Sequence, residues 1–162
     1  TVSSFVHRMG RINFDDLQSE RRYQRWRAYG QSKLANLLFT FELQLRASVA
    51  GTNLGSMAAH PGYAATNLQF AGPKIAAERW SMVVANRVVA QSADMGALPT
   101  LYAGTVPNLP GGTFMGPGSW GGMRGYPRVS SASKHAYDTE TAGRLWAVSE
   151  ELTGVHYAFA AA

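Results

Sequence analysis

Between Arg27 and Val49 the apolar residues Leu34, Leu37, Leu38, Phe41 and Leu45 recur at the offsets of one helical face, so the pattern predicts a long amphipathic helix. Gly51 stops it. Before it, Thr1 to Phe5 reads as the tail of a strand, followed by a loop through Trp26 with Gly10 and Asp15-Asp16 as breakers. After it, Asn53 to Ala59 (NLGSMAA) is short, small and apolar and runs into His60-Pro61-Gly62, the signature of a buried strand entering a turn. Ala64 to Lys74 is expected as loop or short helix. A second long helix is expected from Ala76 to Ala103, with Trp80, Val83, Val84, Val88 and Leu98 on its apolar side and Asp94-Met95-Gly96 as a point of division. A short strand at Gly112 to Met115, a flexible stretch GPGSWGGMRGYP and a last helix from Asp138 to Leu152 complete the chain.

Strand, helix, strand, helix, strand, helix is the order of a parallel α/β sheet with helices on its faces. Two strands and a stub make a small sheet, whereas parallel strands normally sit among several neighbours. In open α/β sheets ligands bind beyond the carboxyl ends of the strands. Ser3-Ser4 and His60-Pro61-Gly62-Tyr63 both lie at such ends and are expected to converge on one crevice. No internal repeat or linker divides residues 1–162, which read as one domain, incomplete on this reading of the sheet.

Composition narrows the class. Hydrophobic residues at 46% and charged residues at 15% exclude a disordered chain. The absence of cysteine excludes a disulfide framework and thiolate chemistry, no metal site is expected, and the usage suits a reducing cytoplasm. No apolar run approaches the roughly 20 residues of a membrane span. The chain opens on Thr-Val-Ser-Ser, from which no signal peptide is expected. The net charge of +5 has a local source in Glu20-Arg21-Arg22-Tyr23-Gln24-Arg25-Trp26-Arg27, basic with interleaved aromatics. Such a run suits an anionic partner, but its plainer reading is a solvated loop and helix start, and no nucleic-acid partner is expected.

The candidate chemistry lies in AYGQSKLAN, Ala28 to Asn36. Tyr29 and Lys33 stand one turn apart on one helix face. A phenol titrates near 10 in isolation, and an adjacent ammonium favours its anion. A tyrosine so placed can act as general acid or base toward an alcohol or carbonyl oxygen, with a hydroxyl of Ser3 or Ser4 holding that oxygen. Taken alone, the same spacing equally describes a packed ring beside a solvated amine, which is the commoner case.

TVSS, then AYGQSKLAN after a loop, then a strand ending HPGYAAT together resemble the short-chain dehydrogenase/reductase family. The retinol-dehydrogenase-like branch is the nearest in character, on Arg11-Ile12-Asn13-Phe14-Asp15-Asp16-Leu17, Ser32-Lys33-Leu34-Ala35-Asn36 and the tail LWAVSEELTG from Leu145 to Gly154. The resemblance covers nearly the whole chain. It implies that Ser4 (Ser3 being the neighbouring alternative) polarises the substrate oxygen, that Tyr29 is the acid/base, and that Lys33 lowers the tyrosine's pKa and hydrogen-bonds the nicotinamide ribose. It places Pro61, Gly62, Tyr63, Ala64 and Thr66 along the cofactor. His60, with no family role there, is read as structural. The implied cofactor is NAD or NADP, with NADP slightly favoured, and the implied substrate is a small alcohol or carbonyl compound of apolar character. Phe114, Met115, Trp120, Met123 and Tyr126 line its pocket or pack the core. The two long helices are those that form homodimers in the family.

The departure from the family pattern is large. Its glycine-rich phosphate loop, the residue selecting NAD or NADP and an upstream asparagine all precede the serine segment. No GxxxGxG occurs in this chain, and Gly111-Gly112 and Gly116-Pro117-Gly118 do not stand between a strand and a helix as that fingerprint must. The expected fold is therefore the C-terminal portion of a Rossmann-like, doubly wound parallel sheet without its N-terminal phosphate-binding βαβ half. The alternative is a non-catalytic remnant that acts only through helix-mediated association.

Overall fold

A computed structural model describes residues 1–63 and 90–159. The elements are α1 (Arg25–Val49), β1 (Ala58–Ala59), α2 (Ala93–Thr105), β2 (Phe114–Ser119), β3 (Arg124–Val129) and α3 (Thr139–Thr153), with short 3-10 turns between them. The expected stretch Ala64 to Lys74, and the part of the expected second helix up to residue 89, lie outside the described residues.

The long helix forms where its apolar face requires. Leu34, Leu37 and Leu38 are fully buried, each contributing about 2 kcal/mol of apolar burial. Leu45, the last member of the predicted stripe, is 48% exposed, although Ala47 beyond it is fully buried. Gly51 adopts φ 63° beyond the helix end, a conformation glycine takes without strain. At the other end of the chain Asp138 caps α3, its carboxylate accepting from the Thr141 N–H (3.0 Å) and hydroxyl (2.9 Å). Gly154, left-handed at φ 68°, closes that helix by donating to the Glu150 carbonyl.

α2 begins later than the apolar pattern suggested. Ser92 caps it by accepting from Met95 N–H, and Ala90 to Ser92 are not helical. The break thus falls just before Asp94-Met95-Gly96, which form the first turn.

The sheet has the order β1-β2-β3. β1 and β2 are parallel, with Ala58 opposite Phe114 and Ala59 opposite Met115. β2 and β3 are antiparallel, Met115 facing Val129 and Pro117 facing Pro127, with an irregularity between Pro117 and Ser119. The expected wholly parallel sheet is therefore corrected to a mixed one, and the expected flexible stretch is a hairpin. Trp120, Gly121 and Gly122 all take positive φ and reverse the chain there. Glycine and proline are depleted in strands, which hid the hairpin in the sequence. Pro127 is tolerated because β3 is the sheet edge.

The strand expected at Asn53 to Ala59 shrinks to Ala58–Ala59. The stub at the chain start reduces to Val2, which bridges Ala59 in parallel. From Phe5 the chain turns into a 3-10 helix, capped by the Ser4 hydroxyl.

Period-two alternation sorts the core into two layers. Ala58 and Phe114 pack with Leu34, Leu37, Leu38, Ala142 and Leu145 of α1 and α3. Ala59 and Met115 point the other way, onto Ala103 of α2. Helices thus cover both faces, as a parallel pair demands. Phe114 and Met115 are core residues, whereas Trp120 and Tyr126 are largely exposed.

Candidate active site

Parallel pairing aligns the ends of neighbouring segments. Ser3 N–H donates to the Ala59 carbonyl (2.8 Å) and Ala59 N–H to that of Thr1 (2.9 Å). Ser3-Ser4 and His60-Pro61-Gly62 therefore leave the sheet side by side at the same end, as the sequence suggested.

α1 is strapped against this edge. The buried Ser3 hydroxyl donates to the Lys33 carbonyl at 2.8 Å. Asn36 Nδ2 donates to the Val2 carbonyl at 2.9 Å, and the Lys33 ammonium reaches the same oxygen at 3.4 Å. One turn earlier the contact is closer still. A side chain on Gly30 would come 3.3 Å from the Val6 carbonyl oxygen, and one on Gly10 would strike the Gly30 carbonyl and come 2.9 Å from Leu34 Cβ. Glycine at both positions lets helix and loop meet backbone to backbone. Ser4 lies between the residue tied to Lys33 and the residue that abuts Gly30, so it flanks the turn of α1 that carries Tyr29.

The two serines divide their roles. Ser3 is buried with its hydroxyl engaged, whereas Ser4 is half-buried and, among the described residues, its hydroxyl oxygen accepts only a long 3.4 Å bond from Val6 N–H. Tyr29 and Lys33 are half-buried, with the ammonium 5.7 Å from the centre of the phenol ring. The Trp26 ring meets Tyr29 edge-on at 6.4 Å.

Two features escaped the sequence reading. His7, buried, stands next to the serine segment: its Nδ1 lies 2.7 Å from the Ser4 carbonyl and its Nε2 accepts from Ser133 N–H at 3.0 Å. The acceptor role of Nε2 fixes the proton on Nδ1, so neutral His7 donates to Ser4 and ties it to the loop before α3. Burial pushes its pKa down, against the opposing pull of the Ser4 carbonyl. Gln91, also buried, donates from its side chain to the Pro61 carbonyl (2.8 Å) and accepts from Gly125 N–H (2.9 Å), clamping the turn to β3. A lone histidine in FVHRM and a glutamine inside the expected helix Ala76 to Ala103 carry no sequence signal of such bridging.

The turn is held from several sides. Gly62, at φ 69°, leaves no room for a side chain beneath Pro117 and the Met123 carbonyl. Tyr63 N–H donates to Met123 at 2.7 Å. His60 is buried and its Nδ1 accepts from Gly62 N–H at 3.2 Å, the structural part expected of it. Burial first, then the charges of His7 and Arg8, push its pKa down to about 4. Ala64 and Thr66 lie outside the described residues. No group of three or more potential metal ligands occurs among the described residues, and no described helix is long and apolar enough to cross a membrane.

No family model matches the chain. Comparison with individual proteins is decisive instead. The chain is 33% identical to human polyprenol dehydrogenase and 35% identical to human retinol dehydrogenase 12, in each case over 96% of its own length. This chain is a homologue of the retinol-dehydrogenase-like short-chain dehydrogenases/reductases. It spans less than half of these two relatives, 44% and 45% of their lengths. The fold agrees: a solved structure of an uncharacterised protein from Mycobacterium paratuberculosis superposes with a TM-score of 0.76 at 43% identity. That match covers 98% of this chain and 50% of the other. In this homologue the serine segment, bonded to the Lys33 carbonyl of α1, and the Pro-Gly turn leave the sheet at the same end.

Proposed function

We propose that this short-chain dehydrogenase homologue is the catalytic part of an oxidoreductase acting on an alcohol or carbonyl compound with NAD or NADP. The observation that carries the reading is the strapping of Lys33 to Val2 and Ser3, which holds the Tyr-Lys turn against the serine segment. Tyr29 exchanges a proton with the substrate oxygen, Ser4 donates a hydrogen bond to that oxygen, and the Lys33 ammonium steadies the negative charge that develops on the phenol oxygen. Ser3 and His7 keep Ser4 in place from either side.

The residues present fit one end of a dinucleotide. Lys33, whose bond to Val2 is long at 3.4 Å, has N–H groups for ribose hydroxyls, and the turn at Pro61, Gly62 and Tyr63, with Ala64 and Thr66 following it in sequence, would border the nicotinamide. The bound cofactor supplies or accepts the hydride. A pyrophosphate needs a cradle of backbone N–H groups at a helix N-terminus, and no glycine-rich phosphate loop occurs in the sequence. The chain by itself is therefore expected to bind the dinucleotide weakly and turn over slowly. The test is titration with NADH and NADPH alongside alcohol-dependent turnover. Tight binding and brisk turnover by these 162 residues alone would refute the expected weakness.

A second reading, association without catalysis, draws on the sheet edge at Thr1 to Ser4. Beyond Val2 no further strand pairs there among the described residues, and Val2 is 45% exposed. Such an edge invites pairing with another chain. Sedimentation showing a dimer with no cofactor binding would favour it.

A further inference from the structure

A cavity lies on the side of α1 away from the Tyr-Lys face. Its volume is about 520 Å³, and its polar lining includes Arg11, Asn13, Asp16, Arg22, Arg27 and Gln31. Arg27, Ala28 and Gln31 share one side of α1, and at 100° per residue Tyr29 and Lys33 lie on the other. The catalytic proposal therefore does not use these groups.

The loop that walls the cavity is fixed rather than incidental. Gln31 Nε2 donates to the Leu17 carbonyl and its Oε1 accepts from Asn13 N–H, both at 2.9 Å. The Asp16 carboxylate accepts from the N–H groups of Arg21 and Arg22 at 3.1 Å each, which hold its pKa below the usual carboxylate range. Asp16 thus organises the loop, and its oxygens are already engaged. Neither Arg22 nor Arg27 forms an ion pair among the described residues, where the two such pairs are Glu42 with Arg46 and Glu150 with His156. Arg11, which also donates to the Gly10 carbonyl at 2.6 Å, lines the cavity together with Arg22 and Arg27, and the one carboxylate in that lining is already engaged.

We propose that this cavity binds a phosphate monoester, whose dianion sits between Arg11, Arg22 and Arg27. Guanidinium forks match phosphate oxygens in pairs. The volume lies in the range of small-molecule pockets and leaves room for an organic portion beside the phosphate. Met9 lines the cavity at 72% exposure, and Tyr23, 71% exposed, follows Arg22 directly, so apolar surface is at hand for that portion. A soluble phosphomonoester and a lipid phosphate headgroup share this chemistry.

The test is calorimetric titration of the protein with phenyl phosphate, and with benzoate as an anion of similar body. Saturable binding of phenyl phosphate is expected, weakened roughly tenfold or more by Arg22→Gln with Arg27→Gln, as the loss of charge-assisted bonds implies. Lys134→Gln, which removes an exposed charge elsewhere, should leave it unchanged. Equal binding of benzoate, an equal loss in Lys134→Gln, or no saturation at all would overturn the assignment. Co-sedimentation with phosphatidylcholine vesicles carrying phosphatidic acid separates the sources. Capture that depends on Arg22 and Arg27 identifies a lipid headgroup, and its absence alongside phenyl phosphate binding identifies a soluble ligand. The double variant retains the Tyr29 turn, so binding lost with turnover kept separates this site from the catalytic one.

Discussion

Protonation of His60 should unfold this protein from the acid side. The ring is 3% exposed, its Nδ1 accepts the Gly62 N–H, and His7 and Arg8 add unfavourable charge to the cost of burial. In the unfolded chain the ring titrates at its ordinary value of 6.5, and in the folded chain at about 4. The unfolded state therefore binds the proton first. Stability from this group is fully present above 6.5 and is lost as pH falls toward 4. The whole difference corresponds to about 3 kcal/mol, of which about 2 kcal/mol is lost by roughly pH 5. His7, buried and pushed in the same direction, adds to the slope with the same sign. Urea unfolding near pH 7 and near pH 5 measures the loss as a fall in midpoint. His60→Asn, whose side-chain oxygen can replace Nδ1 as acceptor, should start less stable and show a shallower pH slope. An NMR titration of the unmodified protein that finds His60 ionising at or above its unfolded value would refute the reasoning, as would an unchanged slope in the variant.

Other outcomes follow from the same contacts. In an active form of the protein, Tyr29→Phe should abolish nearly all turnover while dinucleotide binding persists; surviving turnover would remove the phenol from the proton transfer. Ser3→Ala should cost about 1–3 kcal/mol in chemical denaturation, because the Lys33 carbonyl loses its buried partner. Ser4→Ala should barely move stability but lower kcat on the order of a hundredfold, the effect of losing one donor to a developing oxyanion. Gly10→Ala should destabilise by about 1–3 kcal/mol, since the added carbon meets the Gly30 backbone and Leu34; an unchanged melting temperature would show that loop and helix do not meet as described.

The local pattern by itself determined α1 and α3, because three-and-four spacing of leucines and an Asp-to-Gly pair of caps act within a few residues of chain. It also marked Tyr29 and Lys33, whose separation is a property of one helix, and the Pro61-Gly62 turn. What it could not contain was anything made by meeting across distance. The hairpin of Phe114 to Val129 hid behind glycines and prolines that suit a strand only when a partner and a packed face are supplied. The division of labour between Ser3 and Ser4 depends on which hydroxyl the distant Lys33 carbonyl captures. His7 and Gln91 acquire their parts from Ser133, Pro61 and Gly125, residues remote in sequence that the sheet and its loops bring within hydrogen-bond reach. Periodicity records which side of an element is apolar; only the folded chain decides which polar groups that burial leaves facing one another.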